Sequence, residues 1–189
     1  MKLEKTLSLV GFICSGKTTI GKLLSEKLCC DFYDVDRLIE LRFNQSISEI
    51  FNSMPEAEFR NLEFKILNDL FSQVKKPFVL ATGGGIVENP ESRDFLIKNT
   101  RCIYLKNSFE NLQARALLRS NPRFWKKLFL KTRFDRRLHE YEKAHHIIES
   151  HHDLPEEIVQ KVIANLYFAV TLHKLRMCGN LLKALNRSF

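Results

Sequence analysis

Gly11-Phe12-Ile13-Cys14-Ser15-Gly16-Lys17-Thr18 satisfies the pattern G-x-x-x-x-G-K-[ST]. Where such a stretch joins a strand to a helix, its backbone N–H groups and the helix N-terminus surround phosphate oxygens. Lys17 then adds a point charge at the outer phosphates, and the Thr18 hydroxyl offers a ligand to magnesium. A plain Gly-containing turn before a capped helix would use the same small residues, but a lysine at a helix start opposes the dipole unless an anion is present. Asp34 and Asp36 are a second source of chemistry. In extended backbone, residues two apart project to one side, so one carboxylate could hold a metal's water shell while the other binds an acceptor hydroxyl. The plainer alternatives are a solvated strand end, or Asp36 capping the next helix. Gly83-Gly84-Gly85 lets another molecule approach peptide groups within hydrogen-bond range, beyond what a flexible turn needs. Arg60, one turn before Glu63, and Arg137, four before Tyr141, carry guanidinium groups suited to an anion. A surface ion pair and a solvated helix face are their ordinary readings.

These side chains need a scaffold, and the hydrophobic pattern supplies one. Short apolar runs at Thr6–Ile13, Asp31–Asp34, Pro77–Ala81, Arg101–Leu105 and Ile147-Ile148 read as strands. Between them, helical spacing covers Lys17–Leu28, Arg37–Asn52 with a break at Asn44-Gln45, Ala57–Val74 after Pro55, Asn107–Leu118, Phe124–Ala144 and Leu154–Tyr167. Asn121-Pro122 interrupts the pattern before the basic helix. Strands alternating with helices indicate an α/β fold, a parallel sheet with helices on both faces. No repeat or linker is visible, so residues 1–189 are expected to form a single domain, with a basic amphipathic tail over 171–189.

Composition excludes several classes. Fifteen Phe within a chain that is 44% hydrophobic exclude disorder as the dominant state. No apolar run approaches the roughly 20 residues that span a bilayer, so no membrane association is expected. The start of the chain is read as lacking a secretory signal, and five cysteines without a CxxC pair are read as reduced thiols in a cytoplasmic protein. The net charge of +8 is concentrated: residues 115–146 hold ten Lys or Arg against three acids, and the tail holds four against none. That localisation suits an anionic ligand, with a nucleic-acid face as the other class of partner. Of seven glycines, five fall in the two clusters above, where the backbone rather than the side chain is being used.

Taken together and in order, Gly11–Thr19, Asp34-Val35-Asp36, Ser46–Phe51, Glu58-Phe59-Arg60-Asn61-Leu62-Glu63 and Gly83-Gly84-Gly85 resemble shikimate kinases, over residues 6 to 167. The resemblance implies a three-layer α/β/α P-loop kinase fold with a five-stranded parallel sheet and a mobile lid. It implies ATP and Mg²⁺ as cofactors, shikimate as the small-molecule substrate, no nucleic acid, and a monomer. It further implies that Cys14, Ser15, Gly16, Lys17, Thr18 and Thr19 bind ATP phosphates, with Arg115 near adenine. Thr18 would bind the metal and Asp34 would reach it through water. Asp36 would be the base for the 3-hydroxyl, Arg60 and Arg137 would grip the substrate carboxylate, and Gly84 would donate its N–H. The lid, about residues 119–127, would bring Arg123 onto the transferring phosphate, with Arg119 as its alternative. The chain departs from the family at Cys14, where glycine is usual and a side chain fits only at negative φ. It departs again in the lid sequence, at His151-His152-Asp153, and in the additional tail.

Overall fold

Leu7–Val10 (β1) is buried along its whole length and forms the centre of the sheet. This computed structural model describes residues 3–119, 127–151 and 153–167. Phe32–Asp34 (β2), Val79–Ala81 (β3), Arg101–Lys106 (β4) and His146–Glu149 (β5) complete a five-stranded sheet, with the order β2-β3-β1-β4-β5 and every pairing parallel. Parallel neighbours cannot be joined by tight turns, so helices supply the crossovers. These are α1 (Lys17–Leu28), α2 (Val35–Phe43), α3 (Ile47–Ser53), α4 (Glu56–Gln73), α5 (Pro90–Asn99), α6 (Phe109–Arg119) and α7 (Lys127–Tyr141), with α8 over residues 155–167.

The period-two alternation of β1 divides the core. Leu7 and Leu9 pack with Ile20, Leu24 and Leu28 of α1 and with Val162 and Leu166 of α8. Val10 faces the other way, towards Ile39 of α2, Phe59 and Leu67 of α4, Leu96 of α5 and Phe134 of α7. Ser8 is buried too, and its hydroxyl is satisfied by the Thr100 hydroxyl at 2.6 Å. The result is the expected three layers.

Most expected elements are present, with differences that have local causes. The β1 run stops at Val10, because residues 11–16 turn into the loop that enters α1. The expected Arg37–Asn52 helix is two helices. Asn44 takes a left-handed φ of 51° at the end of α2, and Ser46 with Glu49 forms a capping box that starts α3. The sequence reading assigns nothing between Gly85 and Arg101, where the structure has a short 3₁₀ turn, Ile86–Glu88, and helix α5. Its signals are Asn89, whose side chain accepts from Ser92 N at 3.0 Å, and Pro90 in the first turn. Residues 120–126 of the expected lid, Arg123 among them, and the tail from 168 lie outside the described residues.

Candidate active site

In an open parallel sheet, ligands bind outside the carboxyl ends of strands where the connections diverge to opposite sides. Here those strands are β1 and β3, paired with Leu9 opposite Ala81. The loops that follow them touch: a Cβ on Gly84 would lie 3.1 Å from Ile13 N. Between them opens a cavity of about 270 Å³. Cys14, Gly16, Lys17, Thr18 and Thr19 line one part of it, and Asp36, Arg60, Glu63, Gly83–Gly85, Arg133 and Arg137 line another.

Gly16 caps α1 at φ 95° and directs the loop into the helix. Lys17 is buried in the first turn, its Nζ donating to Gly11 O at 2.8 Å and Phe12 O at 2.9 Å, with Ser15 Oγ at 3.4 Å. Burial lowers its pKa to about 8, against the pull of Asp36 and Asp34 towards the charged form. Ser15 is buried beneath the loop, whereas Thr18 and Thr19 are exposed. Cys14 corrects one expectation. Its φ is 62°, so the thiol-bearing residue occupies the left-handed conformation that glycine usually fills. The chain carries a strain of about 1–2 kcal/mol there.

Thr18 Oγ1 donates to Asp34 Oδ2 at 2.7 Å, which brings the two expected metal ligands together. Both are hard oxygen donors, the type magnesium requires, and they adjoin the phosphate loop. No group of three or more His, Cys, Asp or Glu able to hold a metal occurs among the described residues. The fit is therefore to an ion that takes most of its ligands from phosphate and water. The extended geometry expected for Asp34 and Asp36 is not what forms. Asp34 is the N-cap of α2, its Oδ1 accepting from Asp36 N at 3.1 Å and Arg37 N at 3.4 Å. Asp36 stands in the first helical turn, which sends it towards Gly83 instead of alongside Asp34.

Gly83 and Gly85 show why this loop excludes side chains. A Cβ on Gly83 would meet Glu63 Oε1 at 2.4 Å and Asp36 Oδ1 at 2.7 Å; one on Gly85 would meet the Arg60 guanidinium at 2.1 Å. Asp36 and Glu63 thus converge from α2 and α4 on one spot. Burial, and then the Asp34 charge, push the Asp36 pKa up to about 6, with Lys17 and Arg60 opposing. Burial raises Glu63 to about 7, Arg60 opposing and Asp36 adding to the rise.

Arg60 and Glu63 are a buried pair at 2.8 Å, not the surface pair that their spacing would ordinarily mean. Arg60 also reaches Glu56 at 2.7 Å and Glu88 at 3.3 Å. On α7, Leu130, Phe134, Arg137 and Tyr141 form a buried stripe at helical spacing, which carries Arg137 inwards. Arg137 donates to Gly84 O at 3.2 Å and to Glu88 at 2.8 Å, and Tyr141 Oη also donates to Gly84 O. Arg136 is largely exposed and takes the other Glu88 oxygen. Hydrogen bonds from Arg137 and Arg136 outweigh the effect of burial on Glu88 and hold its pKa at about 2. The Nε atoms of Arg60 and Arg137 are buried without a hydrogen-bond partner. Arg115 lies apart from the cavity, donating to Ser150 O at 3.4 Å. Sequence reasoning names Glu63 only as the ion-pair partner of Arg60 and passes over Glu56 and Glu88; Glu56 stands at i−4 from Arg60 on α4, a spacing that could have found it, and Glu88 carries no such signal.

A family model described as shikimate kinase matches residues 13–167. A shikimate kinase from Dictyoglomus turgidum is 37% identical over 174 residues, covering 92% of this chain and 99% of the relative. The crystal structure of shikimate kinase from Aquifex aeolicus superposes with a TM-score of 0.76 at 34% identity, over 88% of this chain and 98% of that one. The Acinetobacter baumannii shikimate kinase, solved in complex with shikimate, gives a TM-score of 0.78 at 31% identity, over 87% and 94% of the two chains.

Proposed function

This chain belongs to the shikimate kinase family, and from that we infer that it transfers the γ-phosphate of ATP to the 3-hydroxyl of shikimate, a step towards chorismate and the aromatic amino acids. The observation that carries the reading is the position of Asp36, in one cavity with Lys17 on one side and Arg60 and Arg137 on the other. Phosphoryl transfer of this kind depends on alignment and charge more than on covalent chemistry. The phosphate loop fixes ATP and Lys17 offsets charge on its outer phosphates. Thr18, and Asp34 through a water, would hold Mg²⁺, which supplies further neutralisation of phosphate charge.

Asp36 accepts the proton of the shikimate hydroxyl as its oxygen bonds to the γ-phosphorus and the bond to ADP breaks. A carboxyl that titrates at about 6 is ionised at neutral pH yet basic enough for that role. Arg60 and Arg137, whose guanidinium groups line the cavity, hold the shikimate carboxylate by charge-assisted hydrogen bonds. Gly84 donates its N–H to the substrate, its peptide being fixed by the bonds Arg137 and Tyr141 make to its carbonyl. Arg123 would be the lid residue that meets the transferring phosphate, and Arg115 the residue near adenine.

The basic stretch supports a small anion over nucleic acid. Arg133 pairs with Glu56, Arg136 and Arg137 with Glu88, Lys131 with Asp135 and Lys143 with Glu140, so much of its charge is already matched. No helix among the described residues is long and apolar enough to cross a membrane. Four described cysteines are free thiols, in keeping with a reducing cytoplasm. The reading is tested by Lys17→Ala. Turnover should vanish while thermal unfolding stays cooperative; activity near that of the parent would refute the phosphate-loop assignment.

A further inference from the structure

Two guanidinium groups from different helices share one cavity, and bringing them together costs Coulomb energy unless an anion sits between them. The protein has its own. Glu88 closes the 3₁₀ turn directly after the triple glycine, and its Oε2 accepts from Arg60 Nη2 at 3.3 Å and from Arg137 Nη2 at 2.8 Å. Its Oε1 accepts from Arg136. No other carboxylate among the described residues bridges the pair as closely. Glu63 is paired with Arg60, while Glu56 bonds Arg60 at 2.7 Å and stands 3.8 Å from Arg137.

We propose that Glu88 is a positioning residue: by tying the Nη2 ends of Arg60 and Arg137 to one oxygen, it pre-forms the clamp that receives the substrate carboxylate. Three observations support this. Glu88 does not line the cavity, whereas both arginines do, so it engages them without occupying the ligand's place. The bridge uses only Nη2 on each side and leaves both Nε–H groups buried and unpaired, a state that is costly unless a ligand acceptor completes it. Arg137 is held at a second point by the glycine loop just before that turn, through the Gly84 carbonyl, which fixes the guanidinium plane as well as its location. A substrate carboxylate then meets two donors already oriented, and the ordering cost is met during folding instead of binding.

The proposal rests on the shikimate reading, and the test separates the two. Initial rates are measured for the parent, Glu88→Gln and Glu88→Asp with shikimate and with its decarboxylated analogue, and ATP affinity of each free enzyme is measured by titration. In Glu88→Gln the amide keeps the volume but loses the shared anionic acceptor, so KM for shikimate should rise about tenfold with kcat within about twofold. ATP affinity and the weak use of the analogue should not change, and Glu88→Asp should recover part of the loss. An unchanged or lowered KM for shikimate overturns the proposal. So does an equal loss for shikimate and analogue, which would make Glu88 a support for the loop alone. If Glu88→Gln does not fold, Glu88→Asp is judged by the same criteria, its ATP affinity reporting an intact protein. Should the parent use shikimate and analogue equally well, the arginine clamp fails and Glu88 with it. If the parent discriminates between them and Glu88→Gln does so to the same degree, only Glu88 fails.

Discussion

Acid should silence this enzyme well above the pH at which ordinary carboxylates protonate. The group responsible is Asp36, raised from 3.8 to about 6 by burial and by the Asp34 charge. If the ionised form is the base, about nine-tenths of the enzyme is competent at pH 7, half at pH 6 and about one-tenth at pH 5. The rate should therefore fall roughly tenfold between pH 7 and pH 5, where an unshifted aspartate would lose less than about a tenth. The assay is the initial rate with both substrates well below their KM, so that the titration reports the free enzyme. Unfolding does not imitate the effect through these groups. Asp36 and Glu63 both have folded pKa values raised above the unfolded ones, so their stabilising contribution is complete below the unfolded pKa and is lost as pH rises through about 6 and about 7. Asp36→Asn should reduce kcat on the order of 10²-fold and leave a residual rate without the acid limb. A limb centred near 4, or one that persists in Asp36→Asn, would refute the assignment.

Two further substitutions probe the cavity and the loop. Arg137→Lys should raise KM for shikimate about thirtyfold, close to 2 kcal/mol, with ATP little affected, because an ammonium cannot reproduce the forked donors. Arg137 is preferred to Arg60, whose three carboxylate partners make it part of the fold as well. Initial rates across shikimate concentrations decide it, and an unchanged KM removes Arg137 from the clamp. At Cys14, valine should lower Tm by several degrees and weaken ATP binding, since a β-branched residue at φ 62° adds to a strain of about 1–2 kcal/mol, whereas Cys14→Gly should match or exceed the parent in Tm. Equal Tm for the two variants would mean the loop does not hold that conformation in solution.

What the sequence makes legible is local. Helix α1 spans Lys17–Leu28 as its apolar spacing and the preceding Gly16 indicate, and the two glycine clusters do mark the loops that meet at the cavity. Arg60 and Arg137 reach one cavity because each sits at helical spacing from buried residues, Glu63 and Leu67 in one case and Phe134 with Tyr141 in the other. The geometry of the aspartates is not legible in the sequence. It depends on whether Asp34 ends a strand or caps a helix, and its side chain resolves that by taking two backbone N–H groups of α2. Glu88 carries no local signal, since its partners on α4 and α7 lie 28 and 49 residues away in sequence, whereas Glu56 stands four before Arg60 on one helix. Helix α5 escapes the sequence pattern for a different reason. Asn89-Pro90 announces it, but its weakly amphipathic face offers little periodicity to read.

Which acceptor the enzyme phosphorylates is read from ADP release from ATP and Mg²⁺ with shikimate, quinate, gluconate and nucleoside monophosphates, each with the phosphorylated product identified. The cavity, with a base beside a pair of arginines, predicts rapid ADP release with shikimate, matched one for one by shikimate 3-phosphate, and far slower release with the others. Faster phosphorylation of gluconate or of a nucleoside monophosphate, or ADP release without shikimate 3-phosphate, would contradict it.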